Sequence, residues 1–306
     1  MNFNSDFVSY HRNLFGGEYE EFASSLDYKP KLSIRVNTLK TTVESVEKFL
    51  YKNRVEYARI PWCPTGLWVD FELSKFVEHQ LGFYYIQDAV SMIPALALEP
   101  KPGEEVLDLC AAPGSKSTQI AVLMENNGML VANEQDYRRI RALIYNLQRC
   151  GVSNAVVTRQ DGMKFDKFNQ KFEKILLDAP CSDAGRVMYN KDIAREWSKG
   201  RIVRLSAVQK RLASAAYKCL QEDGVLVYST CTTTLEENEQ VVEHILSEFK
   251  DARLERLKFD GLRSKKGLTE KTFDCLRILP HYNNTEAYFI AKIRKCAPIK
   301  NTSDKT

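Results

Sequence analysis

The stretch EEVLDLCAAPGSKS, residues 104–117, decides how the larger part of the chain folds. Its apolar run is followed at once by small residues and then by SKSTQIAVLME, a segment of helical period. Small residues between a strand and a helix let a ligand approach the backbone at the helix N-terminus. The glycine spacing fits neither a P-loop nor a G-x-G-x-x-G fingerprint, so we predict another kind of cofactor loop. The alternative is a tight structural turn.

Short apolar runs alternate with segments of helical period from this stretch onward, a pattern typical of βαβ units around a parallel sheet. We predict strands at 104–109, 128–134, 154–159, 173–179 and 224–230, with a later one at 287–293. Their nearly continuous apolarity predicts that helices cover both faces. Thr234 and Glu237 have the spacing of a capping box, which predicts that a helix begins just after Cys231.

The N-terminal part of the chain has a different pattern. Two strand-like runs, KLSIRVNTLK and TGLWVDF, flank the helical segment TVESVEKFLYKN, and residues of a turn-forming type precede the first strand of the larger sheet. We therefore predict an α+β module over residues 1–90, an α/β domain over 91–296 and a frayed tail over 297–306.

Composition excludes several classes of protein. The formal charge of +4 permits a polyanionic partner without requiring one. Of the eight cysteines the two nearest, Cys219 and Cys231, are twelve residues apart, which fits neither a zinc ribbon nor a thioredoxin motif, and we predict no metal site. No segment has the pattern of a signal peptide or a membrane span. We expect a cytoplasmic, monomeric protein with reduced thiols and no membrane partner.

Chemically active side chains follow the predicted strands. Cys181 and Cys231 each come just past an apolar run, at the strand ends where ligands of such sheets bind. Glu134 is placed to accept hydrogen bonds from ribose hydroxyls. Asp161 has two equally good explanations, an adenine contact or the turn chemistry of Asp-Gly. Asp178 ends the strand that precedes Cys181.

Three motifs in this order, DLCAAPGSK, DAPCS and YSTCT, resemble the Nop/Sun (Fmu-like) family of S-adenosylmethionine-dependent RNA cytosine-5 methyltransferases. SIRVNTLK, YYIQDAVSMIPA and RILPHYNNTEAYFIAKIRK resemble further family segments, and the compact size is similar to that of the archaeal members that act on transfer RNA. The resemblance implies a Rossmann-like class I methyltransferase sheet with helices on both faces, preceded by a small α+β RNA-binding module. It also implies S-adenosyl-L-methionine as cofactor and tRNA as partner, with rRNA as the alternative.

The resemblance assigns chemical roles to four residues. Carbon 5 of cytosine is too weak a nucleophile to accept a methyl group until a thiolate adds at carbon 6. Cys231 is implied to be that nucleophile, and Cys181 to help release the product. Asp178 would hold ring nitrogen 3, best in a dry pocket that raises its pKa, and Lys116 would supply positive charge. The alternative for each cysteine alone is a small buried residue.

The same resemblance gives the cofactor site and three departures from the family pattern. The implied cofactor-binding residues are Cys110, Ala111, Ala112, Pro113, Gly114, Ser115, Lys116, Glu134, Arg139, Asp161 and Asp178. Asp183 stands where the family usually has glycine, which puts the local backbone in doubt. Ser115 replaces a glycine of the cofactor loop. EAYF, residues 286–289, replaces Asp-Gly-Phe-Phe, so the floor of the pocket is expected to differ.

A concentration of positive charge follows the Pro-Cys motif. Residues 186–211 contain eight basic residues, Arg186, Lys191, Arg195, Lys199, Arg201, Arg204, Lys210 and Arg211, against two acidic ones. Phosphate contacts there would lie beside a flipped base, although a solvated helix face is the alternative. Arg138, Arg139, Arg141 and Arg149 add to this charge.

In the N-terminal module, Arg35 and Asn37 are expected to contact RNA. Tyr84 and Tyr85 are expected to pack rather than stack on bases, and His281 is as consistent with a loop hydrogen bond as with catalysis. Two other functions stay open from the sequence, an RNA-binding assembly factor that keeps the fold and a DNA methyltransferase. The second is disfavoured because no target-recognition region separates the two cysteine motifs.

Overall fold

The computed structural model describes residues 3–297, so the predicted frayed tail lies outside the described residues except for Ala297. The helices are α1 (Ser5–Phe15), α2 (Tyr19–Ser25), α3 (Val43–Lys52), α4 (Val77–Gln80), α5 (Ile93–Leu98), α6 (Ser115–Leu123), α7 (Tyr137–Cys150), α8 (Asp192–Arg195), α9 (Lys199–Lys218), α10 (Glu239–Glu248) and α11 (Pro280–Asn283). The strands are β1 (Leu32–Val36), β2 (Tyr57–Arg59), β3 (Gly66–Val69), β4 (Tyr84–Ile86), β5 (Glu105–Asp108), β6 (Met129–Asn133), β7 (Ala155–Thr158), β8 (Phe172–Asp178), β9 (Leu220–Thr230), β10 (Ala252–Glu255), β11 (Lys265–Lys266), β12 (Leu276–Ile278) and β13 (Tyr288–Lys295).

The N-terminal strands form a small antiparallel sheet in the order β2-β3-β1-β4. Val46 and Leu50 lie one turn apart on α3 and are buried in one apolar cluster with Val36 of β1. The helix begins after Thr42, whose hydroxyl accepts a hydrogen bond from the backbone N–H of Ser45. The α+β arrangement of this part agrees with the predicted fold class, while the division of the chain at residue 90 stays a prediction.

The other nine strands form one mixed sheet in the order β11-β12-β13-β9-β8-β5-β6-β7, with β10 beside β13. Five neighbouring strands of this sheet, β9, β8, β5, β6 and β7, are parallel, as predicted. β13 runs antiparallel to β9, with Phe289 opposite Thr230, and so is not one more parallel strand. The connection from β12 to β13 covers residues 279–287, which is too short for the crossover that parallel neighbours need.

Helices cover both faces of the larger sheet because consecutive residues of a strand point to opposite sides. In β5, Val106 belongs to an apolar cluster with α5 and α6, whereas Leu107 belongs to another with α9 and α10. In β9, Val227 belongs to the same cluster as Val106, and Tyr228 belongs to the same cluster as Leu107. The Rossmann-like α/β fold with two covered faces is therefore confirmed.

The carboxyl ends of the parallel strands meet at one edge of the sheet. β8 and β9 are neighbours, with Asp178 opposite Ser229, and β5 lies on the other side of β8, with Asp108 opposite Leu176. The three motifs that follow β5, β8 and β9 therefore converge on one place.

The predicted capping box is wrong. α10 begins at Glu239 and follows Asn238, well after Cys231. The hydroxyl of Thr234 does donate to Glu237 Oε2, at 2.7 Å. Glu237 is fully buried, however, and also accepts a hydrogen bond from the backbone N–H of Ser182 at 2.9 Å. Its carboxylate connects the two cysteine motifs and is not part of a helix cap.

The first two helices support the segment that follows Cys181. Phe7 of α1 and Phe22 of α2 are buried in one cluster with Val187 and Trp197. The ring of His11, which is buried and has its pKa lowered to about 4 by burial, contacts the Thr233 hydroxyl at 2.7 Å. The N-terminus thus stabilises loops on both sides of the cysteine pair.

The structure contradicts the RNA contacts predicted for Arg35 and Asn37. Both side chains are 1 % exposed. The Arg35 guanidinium donates to the Ser115 carbonyl at 2.7 Å, to the Thr118 hydroxyl at 2.8 Å and to the Gln87 side chain. The side-chain amide of Asn37 donates to the backbone carbonyls of Gly82 and Cys150. Nothing in the sequence around Arg35 indicates that this charged side chain in a short strand is covered by α6.

Arg149, which was predicted to contribute to the basic surface, is also buried. It donates to the His79 and Tyr84 carbonyls. Arg35 and Arg149 both lie over the ring of Tyr85. Tyr85 therefore packs in the protein interior, as expected, and these two arginines join the small sheet to α6 and α7.

We expect Arg35→Met to lower the free energy of unfolding by about 2 kcal/mol or more, because its acceptors would stay buried without a donor. The measurement is the urea midpoint of unfolding. Arg141→Met, a change at an exposed position of α7, is the control and should leave the midpoint nearly unchanged. Equal midpoints for the two variants would contradict a structural role for Arg35.

Candidate active site

A cavity of about 1130 Å³ opens at the carboxyl edge of the parallel strands. Its walls come from the loops after β5, β6, β7, β8 and β9, and from Tyr288 at the start of β13. Both Cys181 and Cys231 line it, as do Asp178 and Lys116. All four side chains that were predicted to be catalytic are therefore brought together.

The two thiols lie next to each other. Cys181 follows β8 and Cys231 follows β9, and because these strands are parallel neighbours the two Sγ atoms are 3.3 Å apart. The contact with Cys181 and burial hold the pKa of Cys231 well above its usual value. Contact with Cys231 lowers the pKa of Cys181, but burial and the nearby carboxylates of Asp183 and Glu237 together outweigh it, and the net shift is upward. Both groups are therefore thiols at neutral pH.

The loop that carries Cys181 is fixed to the backbone of Cys231. The N–H of Gly185 donates to the Cys231 carbonyl at 3.0 Å, and the N–H of Ala287 donates to the Gly185 carbonyl at 3.0 Å. A Cβ at Gly185 would lie 2.6 Å from the Ala287 oxygen and 2.7 Å from the Cys231 oxygen. Only glycine permits this approach, so the positions of the two thiols are determined together.

The Asp183 departure keeps the backbone conformation that glycine favours. Asp183 has φ 60° and ψ 18°, in the left-handed region that aspartate tolerates better than most residues. Its carboxylate is directed to Cys231, whose thiol donates to Asp183 Oδ1 at 3.1 Å. The doubt about this backbone is thereby removed, and a carboxylate is added to the site.

Asp178 and Lys116 form an ion pair beside the thiols. Lys116 Nζ lies 2.7 Å from Asp178 Oδ2 and also donates to the Ser91 hydroxyl at 3.1 Å. Burial alone would lower the pKa of Lys116, but attraction to Asp178 outweighs it and raises the value. Asp178 Oδ1 accepts hydrogen bonds from the hydroxyls of Ser229 and Tyr288, both at 2.8 Å. The surroundings of Asp178 are polar and differ from the expected dry pocket.

The EAYF departure changes the floor of the cavity. Tyr288 brings the hydroxyl that contacts Asp178, which the phenylalanine of the family pattern would lack. Glu286 pairs with Arg186 Nε at 3.0 Å. Burial and the nearby Asp88 nevertheless raise the pKa of Glu286 to about 8. The floor therefore differs from the family pattern chiefly by the added hydroxyl of Tyr288.

The predicted cofactor loop is the far end of the same cavity, and all of its predicted residues except Gly114 line the cavity directly. Gly114 instead precedes α6 with φ 104°, a conformation that suits glycine. Asp108, at the end of β5, also faces the cavity. Burial raises its pKa to about 7, and its Oδ1 has no hydrogen-bond partner among the described residues.

The remaining predicted cofactor residues lie along one wall. Glu134 is buried and pairs with Arg139 at 3.1 Å. Arg139 also donates to the Ala112 carbonyl at 2.6 Å, which connects β6 to the cofactor loop. Asp161 lines the cavity and also accepts a hydrogen bond from the Met163 N–H at 3.1 Å, so both explanations of this residue are compatible with its position.

The basic residues predicted to bind RNA have three different environments. Arg186 is half exposed at the cavity mouth and paired with Glu286. Lys191 contacts the Leu26 carbonyl and Asp27, so its charge is directed toward α2. Arg195 is exposed and paired only with Asp192, a surface ion pair of little energetic weight. Arg186 and Arg195 are thus accessible, whereas the ammonium group of Lys191 is already in contact with Leu26 and Asp27.

The predictions missed several residues of the site. Asp108 was within the quoted stretch and ends a strand, as Glu134 and Asp178 do, so its position was a usable signal. Asp183 and Tyr288 were noted only as departures, and nothing local indicates that they contact Cys231 and Asp178. His281 contacts Glu18 at 3.0 Å, which is the loop hydrogen bond that was one of its two explanations.

Within residues 3–297 no helix combines the length and apolar character that crossing a bilayer requires. Comparison with protein families gives two matches. A model described as 16S rRNA methyltransferase RsmB/F matches residues 95–294, and one described as the N-terminal domain of 16S rRNA methyltransferase RsmF matches residues 3–89.

Two curated relatives differ in how much of their length is matched. The tRNA (cytosine(49)-C(5))-methyltransferase of Pyrococcus abyssi is 44 % identical, over 90 % of this chain and 92 % of its own. The Ribosomal RNA small subunit methyltransferase F of Vibrio vulnificus is 42 % identical over 92 % of this chain, but the match spans only 61 % of that protein.

Solved structures agree with the fold. A methyltransferase homolog protein from Pyrococcus horikoshii has a TM-score of 0.86 at 34 % identity, with 96 % of each chain covered. The structure of NSun6 from Pyrococcus horikoshii with SFG has a TM-score of 0.88 at 27 % identity and covers 97 % of this chain and 99 % of its own.

Proposed function

The chain belongs to the RsmB/F (Nop/Sun-type) family of RNA cytosine-5 methyltransferases, and we propose that it methylates carbon 5 of a cytidine in transfer RNA through a covalent bond to Cys231. The observation that carries this proposal is the pair of thiols 3.3 Å apart, beside an Asp178–Lys116 ion pair in one cavity. Two thiols and a carboxylate suit a reaction that must form and then break a bond to carbon 6.

Each of the four residues has a step that its position supports. Cys231 adds to carbon 6, which makes carbon 5 nucleophilic. The Asp178–Lys116 pair faces ring nitrogen 3 and supplies the proton that stabilises the adduct. Cys181 lies against Cys231 and assists loss of the proton on carbon 5 and release of the base. Tyr288 and Ser229 hold the Asp178 carboxylate in position.

The residues of the cavity fit S-adenosylmethionine, which when bound supplies a methyl group activated by its sulfonium. This molecule offers an ammonium group, ribose hydroxyls and an adenine amino group, all of them hydrogen-bond donors. Asp108 has a buried oxygen without a partner among the described residues, and Glu134 and Asp161 are carboxylates along the same wall. We assign Asp108 to the ammonium, Glu134 to the ribose and Asp161 to the adenine. The P. horikoshii protein solved with SFG, an analogue of this cofactor, supports the choice of cofactor.

RNA would approach over the mouth of the cavity. The base must leave its stack to reach Cys231, and positively charged side chains near the mouth would hold the flanking phosphates. Arg186 is accessible there, and Arg195 of α8 with Lys199, Arg204 and Arg211 of α9 supplies further exposed charge. This surface replaces the buried Arg35 and Asn37 as the proposed RNA contact.

Transfer RNA is the first candidate because the relative with the higher identity is named for a tRNA reaction. The chain spans 92 % of the archaeal enzyme that is named for tRNA, and only 61 % of the bacterial protein that is named for ribosomal RNA. Ribosomal RNA is kept as the second candidate because the identities, 44 % and 42 %, are close. The name of the archaeal enzyme makes cytidine 49 the first position to examine.

Bisulfite sequencing of tRNA and rRNA transcripts, after incubation with the protein and S-adenosylmethionine, tests the function. We expect protected cytidines in tRNA and their loss in Cys231→Ala, since removing the nucleophile should slow transfer roughly a thousandfold or more. Cys181→Ala should accumulate a denaturant-stable RNA–protein adduct. Protection in rRNA alone would move the proposal to the second substrate, and full activity of Cys231→Ala would refute the covalent mechanism.

The pKa of Asp108, raised to about 7 by burial, predicts that cofactor binding depends on pH. Below that value Asp108 is neutral and cannot pair with an ammonium group, so affinity should rise about tenfold from pH 5.5 to pH 7. Isothermal titration calorimetry with S-adenosylmethionine measures this change. Asp108→Asn should bind weakly at all these pH values, and an unchanged slope in that variant would assign the dependence to another group.

A further inference from the structure

Asp183 is a carboxylate in direct contact with the nucleophile, and the mechanism above does not use it. The Cys231 thiol donates to Asp183 Oδ1 at 3.1 Å, and Asp183 is half-buried at the wall of the cavity. The contact is maintained by the backbone, because Gly185, two residues later, is hydrogen-bonded to the Cys231 carbonyl. Asp183 also keeps a left-handed φ of 60°, an unfavourable conformation for a residue with a side chain.

The addition of Cys231 to a base requires that its thiol lose a proton. Contact with Cys181 and burial hold the pKa of Cys231 well above the usual value, so the free thiolate is scarce at neutral pH. Neighbouring groups are poor acceptors. Asp178 already pairs with Lys116 and accepts two hydroxyl hydrogen bonds. Cys181 is itself a protonated thiol, because the lowering effect of Cys231 on its pKa is outweighed by burial together with the nearby carboxylates.

We propose that Asp183 is a catalytic residue, the general base that takes the proton of Cys231 as its sulfur bonds to carbon 6 of the cytosine. This inference rests on the proposed function of Cys231. The thiol proton moves to Asp183, and the sulfur electron pair forms the bond to carbon 6. The electron pair of the carbon 5–carbon 6 double bond moves through the ring to nitrogen 3, which takes a proton from Lys116 by way of Asp178. On release carbon 5 loses its proton to solvent with the help of Cys181, the electron pair of that carbon–hydrogen bond restores the carbon 5–carbon 6 double bond, and the carbon–sulfur bond breaks with its electron pair on sulfur. Asp183 then returns its proton to the Cys231 thiolate, and nitrogen 3 returns its proton through Asp178 to Lys116.

The test uses two substitutions that keep the left-handed backbone. Asp183→Asn keeps the size and a hydrogen-bond acceptor but cannot take up a proton, and Asp183→Gly removes the side chain altogether. Asp223→Asn is the matched control, because Asp223 is exposed, also has φ 60°, and lies outside the cavity. Each protein is given a tRNA transcript and S-adenosylmethionine at saturating concentrations, and single-turnover methyl transfer is followed from about pH 6 to pH 9.

We expect Asp183→Asn and Asp183→Gly to be slower at pH 7 by about a hundredfold or more, the usual contribution of a general base. The deficit should shrink as pH rises, because hydroxide then generates the thiolate without help from the protein. The pH profile must be compared with wild type, since other titratable or charged groups surround the pair: Cys181, Asp178, Lys116, Glu286, Arg186 and Tyr288.

A second readout separates a base from a positioning residue. The rate of Cys231 alkylation by iodoacetamide, followed by peptide mass spectrometry, should fall in Asp183→Asn at pH 7, because the thiol has then lost the acceptor for its proton. Alkylation and transfer that both recover toward the wild-type rates near pH 9, where hydroxide generates the thiolate, identify a base. Alkylation and transfer that both stay slow at pH 9 would mean that the thiol has been displaced, and this would overturn the inference.

Transfer by Asp183→Asn within threefold of wild type at pH 7 would also overturn the inference while leaving the proposed function intact. Failure of the proposed function gives a different result. Wild type and Asp223→Asn would then form no 5-methylcytidine in any RNA, and the assigned role of Asp183 would fall with it.

Discussion

The parallel pairing of β8 with β9 is the constraint on which the site depends. Asp178 lies opposite Ser229 in this register, so the residues after the two strands leave the sheet side by side. A shift by one residue would displace the loops that carry Cys181 and Cys231 by about 3.3 Å relative to each other, the rise of one strand residue. Burial of both strands in two apolar clusters fixes the register. The distance between the thiols is thus a consequence of core packing.

Polar contacts then hold the loops that carry Cys181 and Cys231 in their positions at this edge of the sheet. Glu237 accepts hydrogen bonds from Ser182 in the one motif and from Thr234 beyond the other. Gly185 adds a backbone contact to Cys231 that no larger residue could make. These contacts are buried, so each unpaired partner would be costly, and the loops are held as one unit. Two thiols can act on the same base only if both are held in place, because a misplacement of about one ångström already slows catalysis strongly.

Burial has opposite effects on the acidic and basic groups of the cavity. It raises the pKa values of both cysteines, which keeps them protonated near neutral pH, and it raises the pKa of Asp108 to about 7. For Lys116 burial acts in the other direction, but the adjacent Asp178 outweighs it. The result is a site in which the Lys116–Asp178 ion pair lies beside two protonated thiols. Such a site needs proton acceptors placed by geometry, and this gives importance to the contact between Asp183 and Cys231.

The sequence by itself determined the strands of the parallel sheet, the loop after β5 and the edge at which Cys181, Cys231, Asp178 and Glu134 collect. Those features follow from local apolarity and from the rule that parallel strands share an edge. Only the tertiary structure decided which side chains meet across that edge or are covered by a helix. Arg35 has the charge of an RNA contact but donates to carbonyls and hydroxyls of α6, and Glu237 has capping-box spacing but binds Ser182, 55 residues earlier. Burial and partners depend on chain segments far apart in sequence, and no local pattern encodes them.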